Sequence, residues 1–336
     1  MGGVASSGEL GSIIRNEIRD RGPITFARFM ELALYHPEFG YYRRGDPFGR
    51  GGDFYTAEQL QPVFGETVKM FVEKLTQELS FADGFGVLEL GAGRAEMKKA
   101  LAPWNYQPYD WESAALPESW TGLVFANEFF DALPVHLLTK GRGGWMERQV
   151  ACRGDELYFT VGPLHSDALL AYAREFEGPI PEGGELEAAL SVRVWLSKIA
   201  AILDEGRLLV IDYGYDAREL VRFPSGTLLS YRKHQTSPDL LKNPGTQDIT
   251  AHVNFTWLLR CAEQAGFVVE RSTSLANWVL SIWGEQELAR RWERADQRWK
   301  LQWKQLVFGM GETFRVFELR RTAPAGTKKP PIARGR

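Results

Sequence analysis

Apolar positions along this chain fall into two rhythms, and the change from one to the other divides it. Up to about Leu79 they recur every three or four residues, the spacing of one helix face. Leu10, Ile13, Ile14 and Ile18 mark a first helix, and Phe26, Phe29, Met30 and Ala33 a second that Pro37 ends. Phe64, Val68, Phe71, Val72, Leu75 and Leu79 mark a third, predicted to begin at Thr56, where Thr56 and Gln59 can form a capping box. Gly45, Gly49, Gly51 and Gly52 crowd the loop between the second and third. From Val87 onward the runs shorten. Val87–Leu90, Leu123–Ala126, Arg207–Asp212 and Phe267–Arg271 read as strands alternating with helices, which predicts a parallel sheet with crossovers. A helical stretch, Ala95–Leu101, follows the first of these strands.

An insertion interrupts that alternation. Trp145–Val150 and Leu157–Val161 flank Arg153-Gly154-Asp155, a hairpin signal, and helical segments follow at about Asp167–Phe176 and Glu185–Leu203. Beyond Asn277, Leu288, Trp292, Ala295, Trp299, Trp303 and Leu306 keep helical spacing with arginines and lysines between them. The tryptophans occupy the stripe that a packed helix buries, so the basic face reads as solvated rather than as a nucleic-acid surface. Phe314–Leu319 reads as a last strand, and the Pro-rich, basic stretch Thr322–Arg336 as disordered. The expected organisation is a helical cap with a Gly-rich lid loop over 1–80, an α/β core over 81–320 with its insertion at about 140–203, and a tail over 321–336.

Composition narrows the function classes. A formal charge of −3 over 336 residues gives no reason to expect nucleic acid or an anionic membrane as partner. Cys152 and Cys261 fit no metal or redox spacing, and the five histidines show no ligand spacing, so no metal is expected. No apolar run reaches a membrane-spanning length. Met1-Gly2-Gly3-Val4-Ala5-Ser6 matches a myristoylation pattern, but is read as a flexible leader, and the expected location is cytoplasmic.

The chemistry begins at Glu89-Leu90-Gly91-Ala92-Gly93, a strand ending in an acid and breaking at two glycines. Glycines there let backbone turn sharply against a ligand. A dinucleotide fingerprint needs a third glycine where Glu96 stands, and a pyrophosphate would meet Glu89 and Glu96. A cationic cofactor suits the turn better, and S-adenosylmethionine (SAM) carries both a sulfonium and an ammonium. The next strands end in Asn127-Glu128 and Asp212-Tyr213-Gly214, and the ends of such strands converge on one crevice.

Several segments together resemble a known family. They are Ile24-Thr25-Phe26-Ala27-Arg28-Phe29-Met30 with Ala33-Leu34-Tyr35-His36-Pro37 and Gly40-Tyr41-Tyr42, then Gly52-Asp53-Phe54-Tyr55-Thr56 with Phe64-Gly65, then Asn127-Glu128-Phe129-Phe130-Asp131-Ala132-Leu133-Pro134-Val135. Asp212-Tyr213-Gly214 and Asp248-Ile249-Thr250-Ala251-His252-Val253 add two more. From about residue 8 to 320 the chain resembles the MidA-like SAM-dependent methyltransferases, bacterial relatives of a mitochondrial complex I assembly factor. The resemblance implies an α/β class I methyltransferase fold, a Rossmann-like, mostly parallel sheet of seven strands with the last antiparallel. It implies SAM as cofactor, a protein substrate methylated on arginine, and compatibility with a homodimer.

Carried over residue by residue, Glu89, Gly91 and Gly93 would hold the methionine end of SAM, with Gly52, Asp53, Phe54 and Thr56 as a lid segment. Thr56 is equally accounted for as a helix cap, and Asp131 as the cap of the turn beyond it. Asn127, Glu128 and Asp131 would face the substrate, Glu128 and Asp131 as a carboxylate clamp on a guanidinium. His252 reads as structural or as a proton acceptor.

The chain departs from the family in the short stretch Arg94–Gly122, where relatives place a second strand, its terminal acid and another helix. Asn105–Tyr109 can be that strand, with Asp110 on the ribose and Trp111 against adenine, but no full crossover helix fits before Leu123. A smaller departure is Asn277, where glutamine is expected. The shortened stretch leaves two other readings open, a catalytically weak scaffold for assembling a protein complex and a small-molecule methyltransferase. A Ser-His-Asp hydrolase and a P-loop enzyme lack their motifs.

Overall fold

A computed structural model describes residues 5–43, 57, 60–79, 84–110, 115–178, 180–232, 235–237 and 239–321. The chain begins with α1 (Ala5–Arg21), β1 (Ile24–Thr25), α2 (Phe26–Tyr35), a turn of 3-10 helix at Tyr41–Arg43 and α3 (Val63–Glu78). Next come β2 (Gly86–Leu90), α4 (Lys98–Leu101), β3 (Asn105–Tyr109) and β4 (Trp120–Asn127). The insertion holds β5 (His136–Gly141), β6 (Gly144–Arg153), β7 (Glu156–Gly162), α5 (Asp167–Phe176), β8 (Glu185–Ala188) and α6 (Ser191–Ile202). It is followed by β9 (Leu203–Tyr215), β10 (Leu229–Arg232), β11 (Gln235–Ser237), β12 (Asp248–Thr250) and β13 (Val253–Asn254). The chain closes with α7 (Phe255–Gln264), β14 (Phe267–Ser274), α8 (Leu275–Arg294), α9 (Gln297–Lys304) and β15 (Phe314–Arg321).

The central sheet runs β14-β15-β9-β4-β2-β3, with the two-residue β13 joined to β9 as its seventh strand. β3, β2, β4 and β9 are parallel, whereas β15 is antiparallel to both its neighbours. Alternate residues of the inner strands enter different cores, because successive side chains of a strand point to opposite faces. Leu88, Leu90, Val124, Ala126, Leu208 and Val210 pack with α5, α6 and α7. Val87, Leu123, Phe125, Leu209 and Ile211 pack with α3, α8 and α9. Burial on both faces explains why these strands read as continuous apolar runs.

Two smaller sheets flank the first. β1, β6, β5 and β8 form one, with β7 paired to β6, and β11-β10-β12 form the other. The helices α1 and α2 stand on the first of these, where Leu10, Phe26, Phe29 and Met30 meet Val135, Leu137 and Val150. The Gly154–Asp155 turn joins β6 to β7 as the hairpin signal required, with Arg153 opposite Glu156.

At the other end of the inner strands, Gly86, Gly122 and Gly206 stand in register across β2, β4 and β9. A Cβ at Gly122 would lie 2.2 Å from the Gly86 carbonyl oxygen, and one at Gly206 1.8 Å from that of Gly122. Only glycine fits this row.

Three expectations change. The third helix starts at Val63 with Pro62 at its cap, not at Thr56, which lies outside the described residues. The expected helix Ala95–Leu101 shrinks to the single turn Lys98–Leu101, because Gly91, Gly93 and Ala95 all take positive φ. The expected helix Glu185–Leu203 divides, its first four residues pairing with β5 as β8. The seventh strand of the central sheet is the short β13, and β3 is an edge. Among the described residues no helix intervenes between β3 and β4. Gln59 and the tail 322–336 lie outside the described residues.

Candidate active site

The glycine turn is held by its neighbour strand. Gly91 and Ala92 donate their N–H groups to the Tyr109 carbonyl at 2.8 and 3.3 Å, which sets Asp110 beside the turn. Gly91 has φ +70, and a Cβ there would stand 3.1 Å from Phe129. The turn therefore packs closely against the Asn127–Asp131 loop, and a side chain at Gly91 would have to displace the Phe129 ring. Below it Glu89 is fully buried and accepts a hydrogen bond from the Tyr106 hydroxyl of β3. Trp195 of α6 lies edge-on to Phe129 at 5.0 Å and to Tyr109 at 6.1 Å, forming an aromatic wall beside the turn.

The loop after β4 collects the acids. Asn127 ends the strand buried, and Glu128 follows with φ +48, an uncommon conformation for a side-chain-bearing residue. Its N–H reaches the Ile211 carbonyl at 2.9 Å, so the turn is pinned to β9. The Glu128 Oε1 atom accepts from the N–H of Ala57 at 3.0 Å and from Asn127 Nδ2 at 3.4 Å. Ala57, five residues beyond Gly52 in the chain, thus reaches the acid loop. Asp131 is buried and accepts from the Tyr213 hydroxyl of β9. Asp212 is fully buried, with its Oδ2 accepting the Phe130 N–H at 3.0 Å.

Burial sets the electrostatics. Burial, reinforced by the charge of Asp131, pushes Glu128 up to about 8. Asp131 is raised less, to about 6, because the Tyr213 hydroxyl favours its charged form against burial. Asp212 is pushed well above the carboxylate range by burial and by Asp131. His252 moves the other way, lowered by burial and by Arg222. It lies edge-on to Tyr213 at 5.5 Å, which favours the structural reading of that residue.

The helices on the second sheet supply the facing wall. Tyr35 of α2 donates to the Ala132 carbonyl at 2.8 Å, and Tyr42 donates to Asp248 Oδ1 of β12 at 3.0 Å. The structure thus brings together Glu89, Gly91, Asn127, Glu128 and Asp131, and sets Asp110 at the edge of the same crevice. Gly93 lies in the turn, whereas Gly52, Asp53, Phe54, Thr56 and Trp111 lie outside the described residues. Sequence reasoning missed Tyr35, Tyr42, Tyr106, Trp195 and Tyr213 as members. For Tyr213 a signal existed, its place at a strand end next to Asp212.

A mostly parallel sheet with β15 antiparallel, a glycine turn after β2 and an acid loop after the adjacent parallel strand define a class I SAM-dependent methyltransferase. Residues 74–273 match the family described as "Putative S-adenosyl-L-methionine-dependent methyltransferase", and the chain belongs to it. It is 26% identical to the mitochondrial protein arginine methyltransferase NDUFAF7 of Xenopus tropicalis, over 94% of this chain and 87% of that one. The Rattus norvegicus protein of the same name is 27% identical over 90% of this chain and 82% of its own length. A Burkholderia thailandensis crystal structure bound to S-adenosyl-homocysteine matches with a TM-score of 0.83 at 27% identity, covering 94% of this chain and 93% of that chain.

Proposed function

We propose that this methyltransferase modifies a side-chain nitrogen of arginine in a polypeptide. The observation that carries the reading is the group of acids at the end of β4, where the charges acting most on Glu128 are Asp131 and Asp248, both acidic. A pocket that crowds carboxyl groups and raises their proton affinity is incomplete without a cation. A guanidinium is planar, permanently charged and forked, so two carboxylates can grip it from different sides. The naming of the relatives as protein arginine methyltransferases supports the same substrate.

When bound, SAM supplies a methyl group on a positively charged sulfur. The residues present fit it. Gly91 and Gly93 turn the backbone at positive φ, and Glu89 and Asp110 are acceptors suited to an ammonium and to ribose hydroxyls. Asn127 and the segment Gly52, Asp53, Phe54 and Thr56 would complete that side. Toward the substrate, Glu128 holds a proton at neutral pH and releases it when a guanidinium arrives. The aromatic and tyrosine walls exclude water and fix the acceptor nitrogen, and alignment of this kind can supply most of the acceleration.

The test is label transfer from methyl-tritiated SAM to proteins of a lysate, followed by mass spectrometry of the labelled residues. Label on arginine is the expected result. Label on lysine, on a carboxylate or on a small molecule alone would discard the arginine reading.

A further inference from the structure

Asp131 is surrounded by groups from every element that borders the site. Glu128 faces it from the end of β4, Asp212 and Tyr213 from β9, Tyr35 from α2, Tyr42 from the Tyr41–Arg43 turn and Tyr231 from β10. Asp248 of β12 joins the group through Tyr42 and Glu128, and His252 through its contact with Tyr213. Of these, Tyr213 is the side chain whose hydroxyl donates to an Asp131 carboxylate oxygen. Thr250 of β12 acts on the same Tyr213 oxygen and favours its charged form. Next in the chain, Asp212 is fixed by the N–H groups of Phe130 and Tyr213, which holds the Tyr213 backbone against the acid loop.

We propose that Tyr213 is a positioning residue that sorts the two acids of the site, its hydroxyl keeping Asp131 as the fixed anion and leaving Glu128 to carry the exchangeable proton. The inference rests on the arginine reading for its purpose, though not for its measurement. A hydroxyl aimed at a carboxylate stabilises its charged form. Without it, Asp131 would compete for protons with its buried neighbours Glu128 and Asp212, and none would have a defined role. With it, burial raises both acids, but the Tyr213 hydroxyl offsets that rise at Asp131, whereas Glu128 is raised further by the charge of Asp131. An arriving guanidinium drives the Glu128 proton into water. After the methyl group has moved, the substituted nitrogen sheds one proton. Its N–H bond breaks with the electron pair left on nitrogen, and a new O–H bond forms on Glu128. Asp131 remains an anion throughout.

The experiment is a carboxyl carbon-13 NMR titration of the whole protein, with no substrate present. The two signals are assigned through Asp131→Asn and Glu128→Gln. In Tyr213→Phe, the Asp131 step is expected to move up by about one to two pH units, the loss of one hydrogen bond to a charged group. The mutual order of the two acids is then blurred, and the acid limb of the activity profile follows. Thr250→Val, which keeps the tyrosine, is expected to shift the same step in the same direction by less. An Asp131 step unchanged in Tyr213→Phe, or a uniform loss of activity with no change in pH profile, would overturn the assignment. Failure of the arginine reading would show elsewhere, in the identity of the labelled residue, with the titration unaffected.

Discussion

The Tyr42 hydroxyl donates to Asp248 Oδ1 at 3.0 Å, joining residues 206 positions apart in the chain. The same carboxylate oxygen accepts the Ile249 N–H at 2.9 Å. A helical element on the second sheet is thereby tied to a strand that borders the acid loop. Tyr42→Phe removes the donor and leaves a buried carboxylate less well satisfied. The expected cost is about 1–3 kcal/mol, read as a lowered midpoint in urea denaturation. An unchanged midpoint would mean that the bond contributes nothing net.

Stability without ligand is expected to fall as the pH rises from about 4 to 8. Between those values the unfolded chain has lost protons that the folded chain still holds, since Asp131 rises from 3.8 to about 6 and Glu128 from 4.5 to about 8. Folding gains from these groups below their unfolded values, and that gain disappears as each titrates in the folded state. Thermal melts of the free protein should show a drop of roughly 5–10 °C over this range, and Glu128→Gln should flatten its upper part. A melting temperature that climbs across the same window in the wild type, and does so equally in Glu128→Gln, would contradict the picture.

Gly91→Val combines a positive φ with a Cβ against Phe129. The strain of about 1–3 kcal/mol falls where the turn meets the acid loop. Calorimetric titration with S-adenosyl-homocysteine should show no binding at up to a ligand concentration of about 1 mM, corresponding to about 4 kcal/mol of affinity. Retained micromolar binding would move the cofactor away from this turn.

Asp110→Ala tests the short route between β3 and β4. If Asp110 holds the ribose, S-adenosyl-homocysteine should bind more weakly by about 1.5–3 kcal/mol with the melting temperature of the free protein little changed. Equal affinity in the two proteins would remove Asp110 from the site.

Much of the scaffold was legible because its signals are local. Apolar runs marked β2, β4, β9 and β14, and Gly154 marked the hairpin. The errors have local causes as well. Ala95 looked like a helix former, but it continues a turn of positive φ that the glycines begin. β8 spans only Glu185–Ala188, too short for an alternating pattern to stand out from the helix beside it. For the site, Glu89, Asn127 and Glu128 could be named from strand ends, and Asp131 only from the resemblance of its motif. Tyr42 and Trp195 could not, and Tyr213 carried only its place at a strand end, because their roles depend on partners such as Asp248, Phe129 and Asp131, set far away in the chain and close only after folding. A tyrosine in isolation carries no mark of the acid it will meet.

The row Gly86, Gly122 and Gly206 lies at the opposite ends of the strands from Glu89, Asn127 and Asp212. Position along the strand axis therefore sorts harmful substitutions into two kinds. A methyl group added to the glycine row should shrink the pool of folded molecules while each survivor turns over at the normal rate. A change at the acid end that keeps the hydrogen bonds, such as Glu128→Gln, should leave most of the pool folded and the molecules idle. Expression level and specific activity, usually confounded, become separate readouts of the two ends of one sheet.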